Sequence, residues 1–207
     1  DDLVLEPDEY VISLRGSEIA RGRVDAARLL CMDRADGELA IDGTPTKEPV
    51  FGLPALWISL ADRERAEALG YTVVDPASVL ATHLAETIRR HAGEILGRHE
   101  TNQLLDGLKV DHAGLLDELV PNLVTVGDIQ KVLQALLRER VTIRDLSTIC
   151  QAIADGARTT KEPFFLAEAA RHALARSISM RHRAADGSIH AAAVAPGLDS
   201  RLGKAVT

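Results

Sequence analysis

Cysteine is scarce in this sequence, and its scarcity excludes two classes of protein. Only Cys31 and Cys150 occur among 207 residues, far apart and in no spacing that would build a metal site. We therefore expect neither a disulfide framework nor structural zinc, which fits a reducing compartment. Cys150 shares an apolar helical face with Leu146, Ile149 and Ile153, so its expected role is that of a small core residue.

Long hydrophobic runs are also missing. No stretch of about 18 apolar residues occurs, so we expect no segment of this sequence to span a bilayer. The opening DDLVLEPDEY has neither the basic segment nor the apolar core of a signal peptide, and it lacks Met, which suggests part of a longer chain. A hydrophobic content of 46% and a charged content of 27% are typical of a globular protein.

An excess of positive charge is absent as well. The net charge is −7, and basic residues are interspersed with acidic ones, which argues against a general nucleic-acid binder. Two capped helices between residues 126 and 155 nevertheless have the outline of a helix-turn-helix. A DNA-binding regulator is therefore kept as an alternative, although Asp145 and Asp155 flank the donors Arg144 and Gln151.

Signatures of catalysis are lacking too. His83, His91 and His99 recur every eight residues, a spacing that turns about 80° around a helix and brings no two of them together. Neither HExxH nor a glycine-rich phosphate loop is present. We expect no catalytic residues, no metal and no cofactor, although a site assembled from distant residues is left open.

What the sequence does contain is a series of short strands followed by helices. Alternation and turn residues predict strands at residues 10–14, 18–21, 29–32, 39–41, 56–60 and 71–74. The first two are expected to form a hairpin or to be two adjacent strands, and a helix predicted over 61–70 ends at Gly70. The segment 27–75 is thus predicted to be a compact α/β unit with a short mixed sheet.

A long helix is predicted to begin at Asp75-Pro76, a favourable helix start. Its spacing predicts one apolar stripe facing the core, and we expect an opposite, wetter face. The stripe comprises Leu80, Leu84, Ile88 and Ile95, and the wetter face comprises Ser78, Thr82 and Glu86.

Beyond residue 97 the chain is predicted to be helical. Thr125 and Thr142 each precede an Asp by three residues, as in a capping box. Near the end, Asp186-Gly187 lies between two runs that are predicted to pair as strands.

The fold class predicted is α+β, with several small subdomains: α/β units with short mixed sheets, then a helical domain and the start of another small α/β domain. We expect a first subdomain of residues 1–26 plus 76–95, N-terminally incomplete, with an inserted subdomain of 27–75. A helical subdomain over 96–176 and the beginning of a C-terminal one over 177–207 follow.

Five stretches occur together and in order: EPVFGLPALWI, GYTVVDPASVLATHL, GRHETNQLLDGL, DELVP and KVLQALLRERVTIRDLSTI. In this combination the sequence resembles the cytoplasmic region of the FlhA family of flagellar export-gate proteins. That family includes the export-gate components of virulence-associated type III secretion systems. TVVDPASVLATHL and the GxPTxEPxFGLPALWI form are more typical of the flagellar branch; the virulence branch is the alternative.

The resemblance implies a cytoplasmic docking platform that binds export chaperone–substrate complexes and hands cargo to a membrane channel. The full-length protein is then expected in the bacterial inner membrane, with this region facing the cytoplasm and contacting the membrane only through a missing N-terminal half. Its expected partners are flagellar export chaperones with substrates, other export apparatus components and further copies in a nine-membered ring. Neither nucleic acid nor enzymatic activity is expected.

The resemblance also implies a partner-binding site at Glu48, Phe51 and Thr82. In this interpretation Phe51 is an apolar anchor, Glu48 a charge or hydrogen-bond acceptor, and Thr82 a small polar wall. Phe51 lies beside Gly52 and between two prolines, where a regular strand is disfavoured. Trp57 and Ile58 are predicted to continue into a buried strand.

Overall fold

The computed structural model describes residues 5–33 and 40–191, together with Leu198. It confirms an α+β fold of small sheets and helices. The chain forms two compact units, Asp1–Gly97 with Leu137–Arg140, and Arg98–Leu136 with Val141–Thr207. The finer division into four subdomains stays a prediction. Among the described residues, every helix is too short or too polar to cross a membrane.

The first unit opens with the predicted hairpin. Strands β1 (Glu9–Leu14) and β2 (Ser17–Arg23) are antiparallel, with Leu14 paired to Ser17. Arg15 and Gly16 form the two-residue turn with φ of 51° and 83°, the left-handed pair that suits the twist of a tight hairpin.

A four-stranded sheet follows, in the order β4-β5-β3-β6. Its strands are β3 (Leu29–Met32), β4 (Thr44–Lys47), β5 (Pro54–Ile58) and β6 (Thr72–Val74). Each of its pairings is antiparallel, so the expectation of mixed strand directions is wrong. For β4 and β5 the reason is their connection, because a hairpin loop returns the chain antiparallel.

This sheet is buried on both faces. Successive residues of a strand point to opposite sides, and two core clusters result. One contains Leu29, Cys31, Ile41, Ile58 and Ala66, and the other contains Leu30, Ala55, Trp57 and Val79. Two-sided burial explains why β3, LLCM, is apolar without alternation. The prediction that Trp57 and Ile58 are core residues is confirmed.

The strand predicted at 39–41 is not confirmed. Leu39 lies outside the described residues, and Ala40 and Ile41 are not in a strand. The neighbouring strand is instead β4, with the sequence TPTK, where no strand was predicted. Because β4 is at the edge of the sheet, it tolerates Pro45, which has no N–H to donate.

The predicted helices of the first unit are present as α1 (Arg63–Ala68), α2 (Pro76–Arg90) and the short α3 (Ala92–Ile95). A single 3₁₀ turn, Leu60–Asp62, precedes α1. Asp75 caps α2 as predicted, since its carboxylate accepts a 2.9 Å hydrogen bond from the Ser78 amide.

The orientation predicted for α2 is wrong. Its apolar stripe is exposed, while four other residues, three of them polar, are buried. The exposed stripe is Leu80, Leu84 and Ile88, and the buried residues are Val79, His83, Glu86 and Thr87. Polar groups can occupy the inner face because their hydrogen bonds are satisfied there, which hydrophobicity alone does not reveal.

One such hydrogen bond ties the hairpin to α2. The hydroxyl of Tyr10, on β1, lies 2.6 Å from Nδ1 of His83, and the two rings meet edge to face. Gly22 on β2 makes room for this tyrosine, because a Cβ there would lie 2.5 Å from its hydroxyl oxygen. Tyr10 and His83 thus join two elements far apart in sequence.

The second unit is helical. Its described helices are α4 (Arg98–Glu118), α5 (Val126–Arg138), α6 (Leu146–Ala157), α7 (Pro163–Ala173) and α8 (Ala175–Arg181), and the last residues of α5 belong to the segment grouped with the first unit. A kink at His112, whose backbone angles are not helical, divides α4 into two segments. A π-helical turn, Leu119–Leu123, follows α4.

Caps set the starts of α5 and α6. Thr125 and Asp128 bond each other's backbone amides reciprocally, so the predicted capping box is confirmed. Thr142 does not act in this way, because α6 begins later: Asp145 is its N-cap and accepts from the Thr148 amide at 3.1 Å.

The strand pair predicted near the end is only partly present. Residues before the turn form α8, and a single antiparallel bridge joins Arg183 to Ile189. The turn itself is as predicted, with Gly187 at φ 88°. Because α8 continues to Arg181, part of the run that was predicted to pair as a strand is helical.

The core of the second unit offers a direct test of stability. Leu133 in α5 is fully buried. We expect Leu133→Ala to lower the free energy of unfolding by about 2–5 kcal/mol, since it removes buried methyl groups and leaves a cavity. Val110→Ala is the control: its side chain is 82% exposed, so the change should stay within about 0.5 kcal/mol. Equal effects in urea unfolding would contradict this assignment of the core.

The buried His83 predicts a pH dependence of stability. Burial lowers its pKa, the nearby charge of Arg90 lowers it further, and Glu48 partly opposes both. The folded protein therefore binds this proton less readily than the unfolded chain, and stability falls as pH drops below the ordinary histidine value of about 6.5.

Urea unfolding at roughly pH 7.5 and roughly pH 5.5 measures this effect. We expect the loss on acidification to be smaller in His83→Gln, which keeps a hydrogen-bond acceptor for Tyr10 but does not titrate. An identical pH response in the variant and the original chain would show that His83 is not responsible.

Candidate functional site

The candidate site is built around the hairpin loop 48–53 between β4 and β5. Lys47 pairs with Pro54 at its base. Inside it, the Glu48 amide donates to the Leu53 carbonyl and the Gly52 amide donates to the Glu48 carbonyl, both at 2.9 Å. Gly52 has a φ of 72°, a left-handed conformation that favours glycine. The loop is therefore a closed turn with its own hydrogen bonds.

Glu48 braces this loop from within. Its side chain is buried, and its two carboxylate oxygens accept hydrogen bonds from the amides of Val50 at 2.8 Å and Phe51 at 2.7 Å. Charge-assisted bonds of this length are among the stronger ones in proteins. The structure thus places Glu48 in a supporting position, rather than in the outward-facing position that its implied role would require.

Phe51 is held outward by the same loop. Its side chain is 72% exposed, whereas its neighbour Val50 is buried. The segment from Glu48 to Gly52 is a turn and not a strand, as the flanking prolines predicted. An exposed aromatic ring on a hydrogen-bonded loop is a ready contact point for another protein.

Thr82 lies on the exposed surface of α2, and its hydroxyl donates to the Ser78 carbonyl at 2.7 Å. Its neighbour on α2, His83, is buried. The charge of Glu48 acts on both His83 and Tyr10, and burial followed by this charge raises the pKa of Tyr10 to about 12. All three predicted site residues lie in the first unit, where Glu48 and Phe51 are in direct contact, whereas the hydrogen bond of Thr82 stays within α2.

Sequence analysis did not identify Arg90 as part of this site. Its Nη2 atom donates to the Val50 carbonyl at 2.9 Å, and its Nε atom lies 3.4 Å from Glu86. A signal was available, because Glu86, Arg89 and Arg90 have the i, i+3, i+4 spacing of helical ion pairs. Nothing in the sequence, however, indicates which of the two arginines reaches the loop.

A cleft of about 420 Å³ lies beside the loop, with Lys47, Glu48 and Pro49 in its wall. Its other wall includes Arg21 and Glu9, which form a 2.8 Å ion pair. The remaining lining residues are Gly22, Arg23 and Thr46. The cleft is polar and is lined by side chains of both charges. It is therefore better suited to contact with another protein's surface than to binding an apolar ligand.

Metal binding and thiol chemistry find little support in the described part of the chain. It contains no group of three or more His, Cys, Asp or Glu side chains that could hold a metal. Both cysteines are fully buried, and burial raises their thiol pKa values, to about 12 for Cys150. A thiol with so high a pKa is a poor nucleophile at neutral pH.

Comparison with known proteins gives a close sequence relative. The chain is 47% identical over 179 residues to the flagellar biosynthesis protein FlhA of Bacillus subtilis (strain 168). The matched stretch is 86% of this chain and 26% of the relative, so the chain spans about a quarter of that protein's length.

Two solved structures share the fold. The CdsV protein of Chlamydia pneumoniae superposes with a TM-score of 0.84 at 22% identity, covering 99% of this chain and 60% of that one. Nonameric EPEC SctV-C, solved by cryo-EM, has a TM-score of 0.64 at 19% identity, covering 96% and 68%.

The resemblance inferred from the five sequence stretches is confirmed by these findings. It extends to the whole sequence, because the FHIPEP family matches residues 1–207. The chain belongs to the FHIPEP family.

Proposed function

We propose that this chain is a cytoplasmic docking platform of a flagellar type III export gate, which binds export chaperone–substrate complexes. The observation that carries the proposal is Phe51, an exposed ring on a loop fixed by hydrogen bonds. Burial of such a ring in a partner contributes about 1.5–3 kcal/mol. Since the loop is already ordered, little of that gain is lost on binding.

The proposed roles are those that the family resemblance implies, with the role of Glu48 adjusted to its position in the structure. Phe51 is the apolar anchor, and Thr82 supplies a small polar wall on α2. Glu48 acts indirectly, because both of its carboxylate oxygens are engaged with the loop backbone. The contact surface is thus an aromatic ring with polar surroundings, an arrangement common in protein interfaces.

The wider role is proposed from the relatives. Identity of 47% to a flagellar FlhA supports the flagellar branch, with a virulence-associated export gate as the alternative. The full-length protein is proposed to reside in the bacterial inner membrane, to contact other export components and to pass cargo to the channel. Similarity in fold to a nonameric protein supports a ring of copies.

The DNA-binding alternative gains no support. The Asp145 carboxylate occupies the N-terminus of α6, where it caps the Thr148 amide. In a helix-turn-helix this end of the second helix faces the nucleic acid. A carboxylate there repels phosphate, so a protein partner is the better proposal.

The first test is Phe51→Ala, measured by calorimetry with purified flagellar chaperone–substrate complexes. We expect affinity to fall about tenfold or more, because the buried ring is lost. The fold should be retained, since the ring makes little contact with its own unit. Phe164→Ala is a matched control, because Phe164 is also exposed, at 65%, but lies in the second unit. Unchanged affinity in Phe51→Ala would reject the anchor.

A second test concerns Thr82. We expect Thr82→Arg to weaken the same complexes about tenfold, because a long charged side chain obstructs the proposed wall. Thr82→Ser keeps a small hydroxyl and should bind like the original chain. If Thr82→Arg binds normally while Phe51→Ala does not, α2 is not part of the docking surface.

A further inference from the structure

The loop that carries Phe51 has a second attachment. Besides the bonds made by Glu48, the Val50 carbonyl accepts a 2.9 Å hydrogen bond from Arg90 on α2. Val50 itself is buried. A carbonyl that loses its partner in a partly buried place is left without a hydrogen bond, so removal of Arg90 is expected to loosen the loop at Val50.

Arg90 is held in turn by a buried carboxylate. Glu86 accepts from Arg89 and Arg90 at 3.4 Å each and from Arg140 at 2.8 Å. Burial alone would raise the pKa of Glu86, but the charge of Arg140 and the hydrogen bonds from the three arginines outweigh it and lower the pKa. Glu86 is thus a stable anion, and Arg90 is anchored between it and the loop.

Arg89 and Arg90 offer a natural comparison. They lie side by side on one helix, and each approaches Glu86 to the same 3.4 Å. They differ in that Arg90 bonds the loop carbonyl. A guanidinium presents several donors in a fixed fork, so it can serve a carboxylate and a carbonyl at once.

We infer that Arg90 is a positioning residue for the docking loop: anchored by Glu86, it fixes the Val50 carbonyl and so sets the direction in which Phe51 projects. This inference rests on the proposed function for its effect on binding. The fixing of the loop itself stands on the geometry of Arg90, Val50 and Glu86.

The experiment compares Arg90→Gln with Arg89→Gln. Hydrogen exchange of the backbone amides of Phe51 and Gly52 reports on the loop directly. We expect exchange to accelerate about three- to tenfold in Arg90→Gln and to stay unchanged in Arg89→Gln, because only the first loses the loop contact. Equal exchange in the two variants overturns the inference.

Binding provides the second measurement. Affinity for chaperone–substrate complexes should fall about three- to tenfold in Arg90→Gln and should not change in Arg89→Gln. In a Phe51→Ala background, Arg90→Gln should cause no further loss, since the residue acts through Phe51. Fully additive losses would overturn the positioning role.

The two proposals fail in different ways. If Phe51→Ala binds normally, the docking function is wrong, yet the exchange comparison still decides whether Arg90 fixes the loop. Should Arg90→Gln unfold, Arg90→Lys replaces it: the ammonium keeps a charge for Glu86 but lacks the fork. Faster loop exchange in Arg90→Lys at an unchanged unfolding temperature supports the inference, and unchanged exchange overturns it.

Discussion

The arrangement of this site depends on one buried carboxylate, that of Glu48. By accepting the amides of Val50 and Phe51, it satisfies backbone donors that a six-residue turn cannot pair by itself. As a consequence, two neighbouring residues face opposite ways: the side chain of Val50 is buried and that of Phe51 is exposed to solvent. A carboxylate suits this position because each of its two oxygens accepts one of the two hydrogen bonds.

Buried polar side chains with satisfied hydrogen bonds also position α2 in the first unit. Its inner face carries His83 and Glu86, bonded to Tyr10 and to arginines, instead of the leucines and isoleucine that remain outside. Polar contacts therefore fix the position of the helix relative to the hairpin and the loop 48–53. Polar networks are more specific in geometry than apolar packing, because each donor requires a matching acceptor.

The sequence predicted much of this fold, and the successes have a common cause. The hairpin at Arg15 and Gly16, the cap at Asp75 and the capping box at Thr125 are local, so the residues that decide them are adjacent in the chain. The site residues Glu48, Phe51 and Thr82 came from a family resemblance, and their part in binding stays a prediction. The exposure of Phe51 agrees with it.

The predictions that were wrong also have physical causes. Strand β4 was missed because Pro45 is typical of turns, and only its place at the sheet edge makes it acceptable in a strand. The orientation of α2 was missed because Glu86 is buried by partners that include Arg140, 54 residues away. Likewise, the contact between Arg90 and Val50 spans 40 residues, and no local pattern encodes it.

The position of β4 at the edge of the sheet has a consequence for how the loop 48–53 is attached. Because the hairpin that presents Phe51 closes on an outermost strand, only one of its two arms is built into the middle of the sheet. The β5 side of the loop is therefore continuous with the packed layers between α1 and α2, whereas the β4 side is attached through pairing with β5 alone among the described strands, so the loop's own hydrogen bonds carry much of its order.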